Sequence, residues 1–284
     1  MTILKVVVVI VIAIILVGLF ILIVGNSSMV NLYNKERLVE VNKFGEIEKK
    51  LILEEDIAHL PEPVQRYMNY SGFIGRENMM NAEVKWSDSK IRLKPDQGWM
   101  NLKTLQVNSV KEPMRAAYMK GRMFGIPIEV REIFQNGTGN MSGKIAGRFT
   151  IFNNNDHEVL ESVLLTILSE APLVPGYLFA DYITWEPVDE NTAKARLQYK
   201  QFDVGGTFYF NDLGEYIRFE TNERNYEDRT DGYRKEKWTI LVHGYQEKDG
   251  IKFPTGVSVI WNLQEGDFEY WTGTITEVIF NVNK

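Results

Sequence analysis

The chain has 284 residues, 44% of them hydrophobic, with 38 acidic against 32 basic side chains and no cysteine. That content is globular rather than disordered, and a formal charge of -6 without a contiguous lysine or arginine cluster argues against nucleic acid, whose phosphates would be repelled. Absence of cysteine excludes disulfides, thiolate metal sites, cysteine nucleophiles and a lipid-modified cysteine anchor.

Val6 to Val24 is an apolar run of 19 residues, which as a helix would span about 28 Å, close to the hydrocarbon thickness of a bilayer. A cleaved signal peptide has an apolar region of roughly 7 to 15 residues ending in a small-x-small site; Ile23-Val24-Gly25 is a poor site and the run is too long. The expectation is a transmembrane anchor over 1–25. Lys5 and the free amine flank one side, while the segment Gly25 to Asn34 is bare and Lys35, Arg37 and Lys43 lie farther out. This places the N-terminus in the cytoplasm and the body outside it, in a single-pass cell-membrane protein. Residues 26–60 read as a juxtamembrane stalk, a solvated linker helix with Leu32, Leu38, Val39 and Val41 along one face. In "LPEPVQRYMNYSGFIG", Pro63 suits a first helical turn, Val64, Tyr67 and Met68 share a face, and Gly72 stands where a helix stops, so a short helix packed on the body is expected.

Residues 61–284 are expected to form an antiparallel β domain with a helical lid. From Asn81 the period becomes two: in "AEVKWS", Val84 and Trp86 oppose Glu83 and Lys85. Turn signals at Pro95-Asp96 and Asn136-Gly137 separate "KIRLK" from "MNLKTLQV" and "IEVREIFQ" from "MSGKIAGRFTIF". In "TAKARLQYK", Ala193, Ala195, Leu197 and Tyr199 face inward and Lys194, Arg196, Gln198 and Lys200 face water, giving a sheet with one wet side. Further strands follow, separated by tight turns that imply antiparallel neighbours, for about ten in all. One substantial helix interrupts them, "DHEVLESVLLTILSE", capped by Asn155 or Asp156, with Val159, Leu160, Val163, Leu164, Ile167 and Leu168 on a broad apolar face. After it, Pro172, Pro175 and Gly176 bar regular structure although Leu173, Val174, Tyr177 and Phe179 are apolar. The fold class is therefore α+β: a large curved antiparallel sheet, a partly open barrel, with one main helix and a lid loop on its concave face, plus the N-terminal transmembrane helix.

"LPEPVQRYMNYSG", "ITWEPVDENTAKARL" and "WNLQEGDFEYWTGTITEVIFN" resemble, in this order, motifs of a bacterial membrane-anchored family of domain-of-unknown-function type, over residue 58 to the C-terminus. The order of elements is also similar to the lipoprotein carriers of the LolA and LolB type, which implies an unclosed barrel whose helices lid a hydrophobic cavity.

A catalytic constellation is not evident. His59, His157 and His243 are scattered, "GTGNMSG" lacks the setting of a phosphate loop, and no serine lies in a G-x-S-x-G elbow. Glu265, Asp267 and Glu269 share a strand face beside Tyr270 and Trp271 and would suit an acid-dependent hydrolase, but a polar turn explains them as well. No metal or cofactor is called for. The expected site is instead a non-enzymatic one for a hydrophobic ligand, a lipid, acyl chain or lipoprotein tail, lined by Leu164, Leu168, Leu173, Val174, Tyr177, Phe179, Trp185, Trp261 and Trp271. The competing expectation is an envelope interaction or sensor domain with a filled core, offering residues 172–179 to a protein partner.

Overall fold

The computed structural model of the protein describes residues 2–24, 28–43, 50–228 and 232–283. Helix α1, Thr2–Val24, coincides with the apolar run, and its described side chains from Val6 to Ile14 are exposed. Several of its other side chains, together with residues 25–27 and 44–49 of the expected anchor end and stalk, lie outside the described residues. Among the described residues no helix is long and apolar enough to cross a membrane.

The body is one antiparallel sheet. Its strands are β1 Asn81–Ile91, β2 Met100–Ser109, β3 Met114–Met123, β4 Ile126–Gln135, β5 Thr138–Ile145, β6 Phe149–Asn154, β7 Ile183–Asp189, β8 Thr192–Tyr199, β9 Phe202–Phe210, β10 Tyr216–Asp228, β11 Gly232–Lys248, β12 Ile251–Leu263 and β13 Gly266–Phe280. They are ordered β6-β5-β4-β3-β2-β1-β13-β12-β11-β10-β9-β8-β7. Two meanders thus lie side by side, joined where the first strand pairs with the last, from Ala82 opposite Phe280 to Ile91 opposite Trp271.

The sheet is curled into a half-barrel. In a flat sheet β5 and β9 would stand about 43 Å apart at roughly 4.8 Å per strand, yet helix α5, His157–Ser169, touches both. The rims also meet: the Phe134 and Phe202 rings are 5.6 Å apart, Lys200 donates to the Asn136 carbonyl and Gln201 to that of Gly137 at 3.3 Å. The structure has more strands than the turn signals suggested. β3 is not among the expected strands, and "MSGKIAGRFTIF" is two strands broken at Ala146 and Gly147, both at positive φ. The Asn136-Gly137 turn is where it was expected, with both residues at positive φ as a tight hairpin turn requires. In β8, Ala193, Ala195 and Leu197 are buried while Lys194, Arg196 and Gln198 are exposed.

Helix α2, Ser28–Lys43, corrects the expectation of a solvated linker. It packs on the convex face of β3 and β4, with Met29 and Tyr33 against Val107, Met114, Ala116, Tyr118 and Ile133. Glu36 takes two hydrogen bonds from Arg131, and Glu83 takes one from Arg37. The buried face is Met29, Tyr33, Glu40 and Val41, and three members of the expected stripe, Leu32, Leu38 and Val39, are exposed. A one-turn helix α3, Glu54–Ile57, leads to α4, Glu62–Tyr70, where Pro63 stands in the first turn and Val64, Tyr67 and Met68 are fully buried.

The seam between the meanders carries an ion cluster. Glu277 on β13 accepts from Lys85 on β1 and Lys248 on β11, and these bonds, Lys248 first, hold its carboxyl down at about 2. The unfolded value is roughly 4.3, so the group contributes stability above that pH and loses it as pH falls through the folded value. Glu277→Gln is therefore expected to be less stable than the parent at neutral pH, with the deficit closing between about pH 4 and 2 in urea titrations followed by tryptophan emission.

Candidate ligand-binding cavity

The site begins with where α5 ends. Glu170, its C-terminal cap residue, is buried, and a carboxylate there faces the negative end of the helix dipole. Strand β2 offsets this with Gln106 and Asn108, whose amides each donate to Glu170 Oε2 at 2.9 Å. Strand β3 adds Arg115, whose Nε lies 3.1 Å from the same oxygen and whose Nη1 donates to Glu132 on β4. Burial alone would lower the Arg115 pKa, but the carboxylates of Glu170 and Glu132 outweigh it and hold the guanidinium charged. Trp86 Nε1 donates to Gln106 Oε1 at 3.0 Å and completes the knot.

Beside this knot, under the C-terminal half of α5, lies a cavity of about 290 Å³. Its sheet wall is aromatic: Trp86 meets Trp271 edge-on at 4.9 Å, Trp261 stacks on Tyr270 at 5.9 Å, and Trp238 Nε1 donates to the Tyr270 hydroxyl at 3.2 Å. Ile240, Val257 and Val259 complete the apolar part, and Gln106, Arg115, Glu132 and Glu170 form one polar end. Arg224 forms another. Its guanidinium sits 4.0 Å over the Trp238 ring, and its Nη1 donates to the Ser162 carbonyl at 2.7 Å and to Thr166 Oγ1 at 2.9 Å. Burial lowers its pKa. Arg224 Nε and Thr104 Oγ1, both enclosed and on residues that line the cavity, have no hydrogen-bond partner. An aromatic trough with unspent polar atoms is suited chemically to an amphiphile.

Of the nine residues expected to line the site, Leu173, Trp261 and Trp271 are in the cavity wall. Leu164, Leu168, Val174 and Tyr177 are buried in the main core, Phe179 borders a separate shallow hollow with Ile52 and His59, and Trp185 packs on Phe208 at 5.0 Å. Residues 171–178 form a plug. All eight are buried, the Tyr177 hydroxyl lies 2.9 Å from the Ser109 carbonyl and 3.0 Å from that of Met114, and Tyr67 donates to the Pro172 carbonyl. Asp156 occupies the cap position of α5 without a side-chain cap bond. Glu265 and Asp267 are exposed, Asp267 accepting from Asn262, and neither lines the cavity. His157 stacks on Phe202 and His243 approaches Ser258 Oγ at 3.3 Å.

Sequence reasoning missed Gln106, Arg115, Glu132, Glu170 and Arg224. The available signal was phase: in β2 and β3 the polar residues alternate with Val107, Ala116 and Tyr118, and whichever set faces α2 leaves the other facing α5.

The chain belongs to the Family of unknown function (DUF6544), whose model matches residues 50–273. No curated protein matches it. Similar solved structures include a domain described as an outer membrane lipoprotein-sorting protein domain from Vibrio parahaemolyticus, 6% identical, covering 77% of this chain and 91% of that one, with a TM-score of 0.38. A DUF1329 family protein from Desulfovibrio piger is 12% identical over 78% and 92% of the two chains, at 0.40. A LolA superfamily protein from Nitrosomonas europaea is 11% identical over 76% and 92%, at 0.36.

A Cβ on Gly176 would lie 2.2 Å from the Met79 carbonyl oxygen, so Gly176→Ala is expected to lose about 1–3 kcal/mol by overpacking. Glu170→Leu strips Arg115, Gln106 and Asn108 of a shared acceptor inside the fold. A loss of about 3–5 kcal/mol is expected there, and both losses are read from denaturant midpoints at constant m-value.

Proposed function

We propose that the protein is a membrane-anchored, non-enzymatic binding domain for a hydrophobic ligand with a polar end: a lipid, an acyl chain or a lipoprotein tail. The observation that carries this reading is the cavity under α5, whose four tryptophans offer the apolar contact an alkyl chain needs and whose Arg224 Nε and Thr104 Oγ1 lack partners. The anchor is assigned to α1. Its 19-residue apolar run matches the bilayer core in length, and the charge distribution around it favours a cytoplasmic N-terminus and an extracytoplasmic body. The competing reading, an interaction domain offering residues 172–179, draws less support, because residues 171–178 are buried and held by Tyr67 and Tyr177.

Full-length protein extracted in mild detergent is expected to carry lipid-sized adducts in native mass spectrometry and to bind cis-parinaric acid saturably, with energy transfer from tryptophan. Trp261→Ala should weaken that binding while Leu213→Ala, exposed in the β9–β10 turn outside the cavity, leaves it unchanged. Adduct-free protein that shows only non-saturable partitioning of the probe would sink the proposal.

A further inference from the structure

Three hairpin ends of the first meander lie together. Leu102 pairs with Gly121, Met123 with Ile126, and Ile128 with Ile145, so the β1–β2 loop, the β3–β4 turn and the β5–β6 turn share one end of the sheet. These three tips are apolar and exposed. Phe124 is 96% and Phe149 63% accessible, and Leu93, Trp99, Ile126 and Ile151 are exposed beside them. Scattered single exposed apolar residues need no explanation, but this concentration on neighbouring tips does. The stretches 92–99, 122–126 and 144–149 also hold Arg92, Lys94, Arg122, Lys144 and Arg148 against a single acid, Asp96, in a chain whose net charge is -6.

The same end receives α2. Lys144 Nζ donates to Ser28 Oγ at 2.8 Å, and Ser28 is four residues beyond Val24, the last of α1. Four Cα steps of about 3.8 Å reach at most about 15 Å. An α1 helix in a bilayer therefore holds these tips at the level of the lipid headgroups.

We infer that the three tips dock on the surface of the bilayer that contains α1, with Phe124, Phe149, Trp99 and the aliphatic residues entering the interface and the five basic side chains meeting anionic headgroups. The occupant is lipid rather than protein because the patch is continuous with the proposed anchor, is basic within an acidic chain, and sits on separate tips rather than in a groove. The docking also orients the cavity. Ile91, the residue before Arg92, lines it and pairs with Trp271, so the wall of the cavity runs into the tip that touches lipid. The inference rests on the reading of α1 as an anchor.

The absence of cysteine permits single-site labelling of the full chain. Ala13→Cys, Phe124→Cys, Phe149→Cys and Leu213→Cys variants, each carrying an NBD fluorophore, are reconstituted into phosphatidylcholine vesicles containing phosphatidylglycerol, with or without nitroxide-labelled lipid. Docking predicts blue-shifted, nitroxide-quenched emission at 13, 124 and 149, and unquenched aqueous emission at 213, in the β9–β10 turn beside α4. Quenching at 13 with aqueous emission at 124 and 149 overturns the docking and leaves the anchor standing. Aqueous emission at 13 overturns the anchor and the docking together.

Discussion

The architecture depends on one connection. β6 and β7 are consecutive strands in the chain but stand at opposite edges of the sheet, and the segment between them has to cross the whole sheet. A crossing over the concave face is covered on nearly every side, which is why α5 is apolar beyond a single stripe: Leu165 is as buried as Leu164 and Leu168. The same condition explains the loop after it. Pro172, Pro175 and Gly176 end the helix while the chain is still inside, so the residues that follow satisfy their backbone groups through the Tyr67 hydroxyl and short 3-10 turns rather than through water.

A helix that terminates indoors exposes its carbonyl end to the interior, and the charged knot around Glu170 follows from that. Such a knot stabilises the fold only when complete, since each unpaired member would carry a desolvation cost of several kcal/mol. It also limits how closely α5 can approach β2, β3 and β4. The room left over is the cavity, with one polar end on β2, β3 and β4 of the first meander, a second at Arg224 on the second, and an aromatic wall to which both contribute. Structural necessity and binding capacity thus share residues, and Arg115 belongs to both.

Much of the fold was legible in the sequence because many positions have one dominant neighbour. The alternation of β8, the turn at Asn136-Gly137 and the buried face of α4 each obey a single local rule. β3 was not legible. Arg115 and Lys120 in "MRAAYMKGRM" resemble the solvent-facing residues of a loop, yet Arg115 points inward to Glu132 and Glu170. The split of β5 from β6 falls on Ala146, which adopts positive φ without being a typical turn residue. For the site, the apolar half was partly readable, through Leu173, Trp261 and Trp271. The charged half was not, because α2 claims the apolar phase of β2 and β3 on the convex side and so turns their polar phase inward. Only the position of α2, read from Met29 and Tyr33 rather than from Leu32 and Leu38, reverses that assignment.

The pairing of β1 with β13 has a consequence for how the chain comes to be folded. The sheet's central ladder joins residues 82–91 to residues 271–280, so one side of β1 has no partner until β13 has been made. Until then the first meander presents an open strand edge, a condition that favours aggregation. Closure of this sequence-distant ladder also makes for slow folding. The sheet is thus completed only by β13, and the time between translating β6 and translating β13 is the interval in which its open edge is most exposed to misassembly.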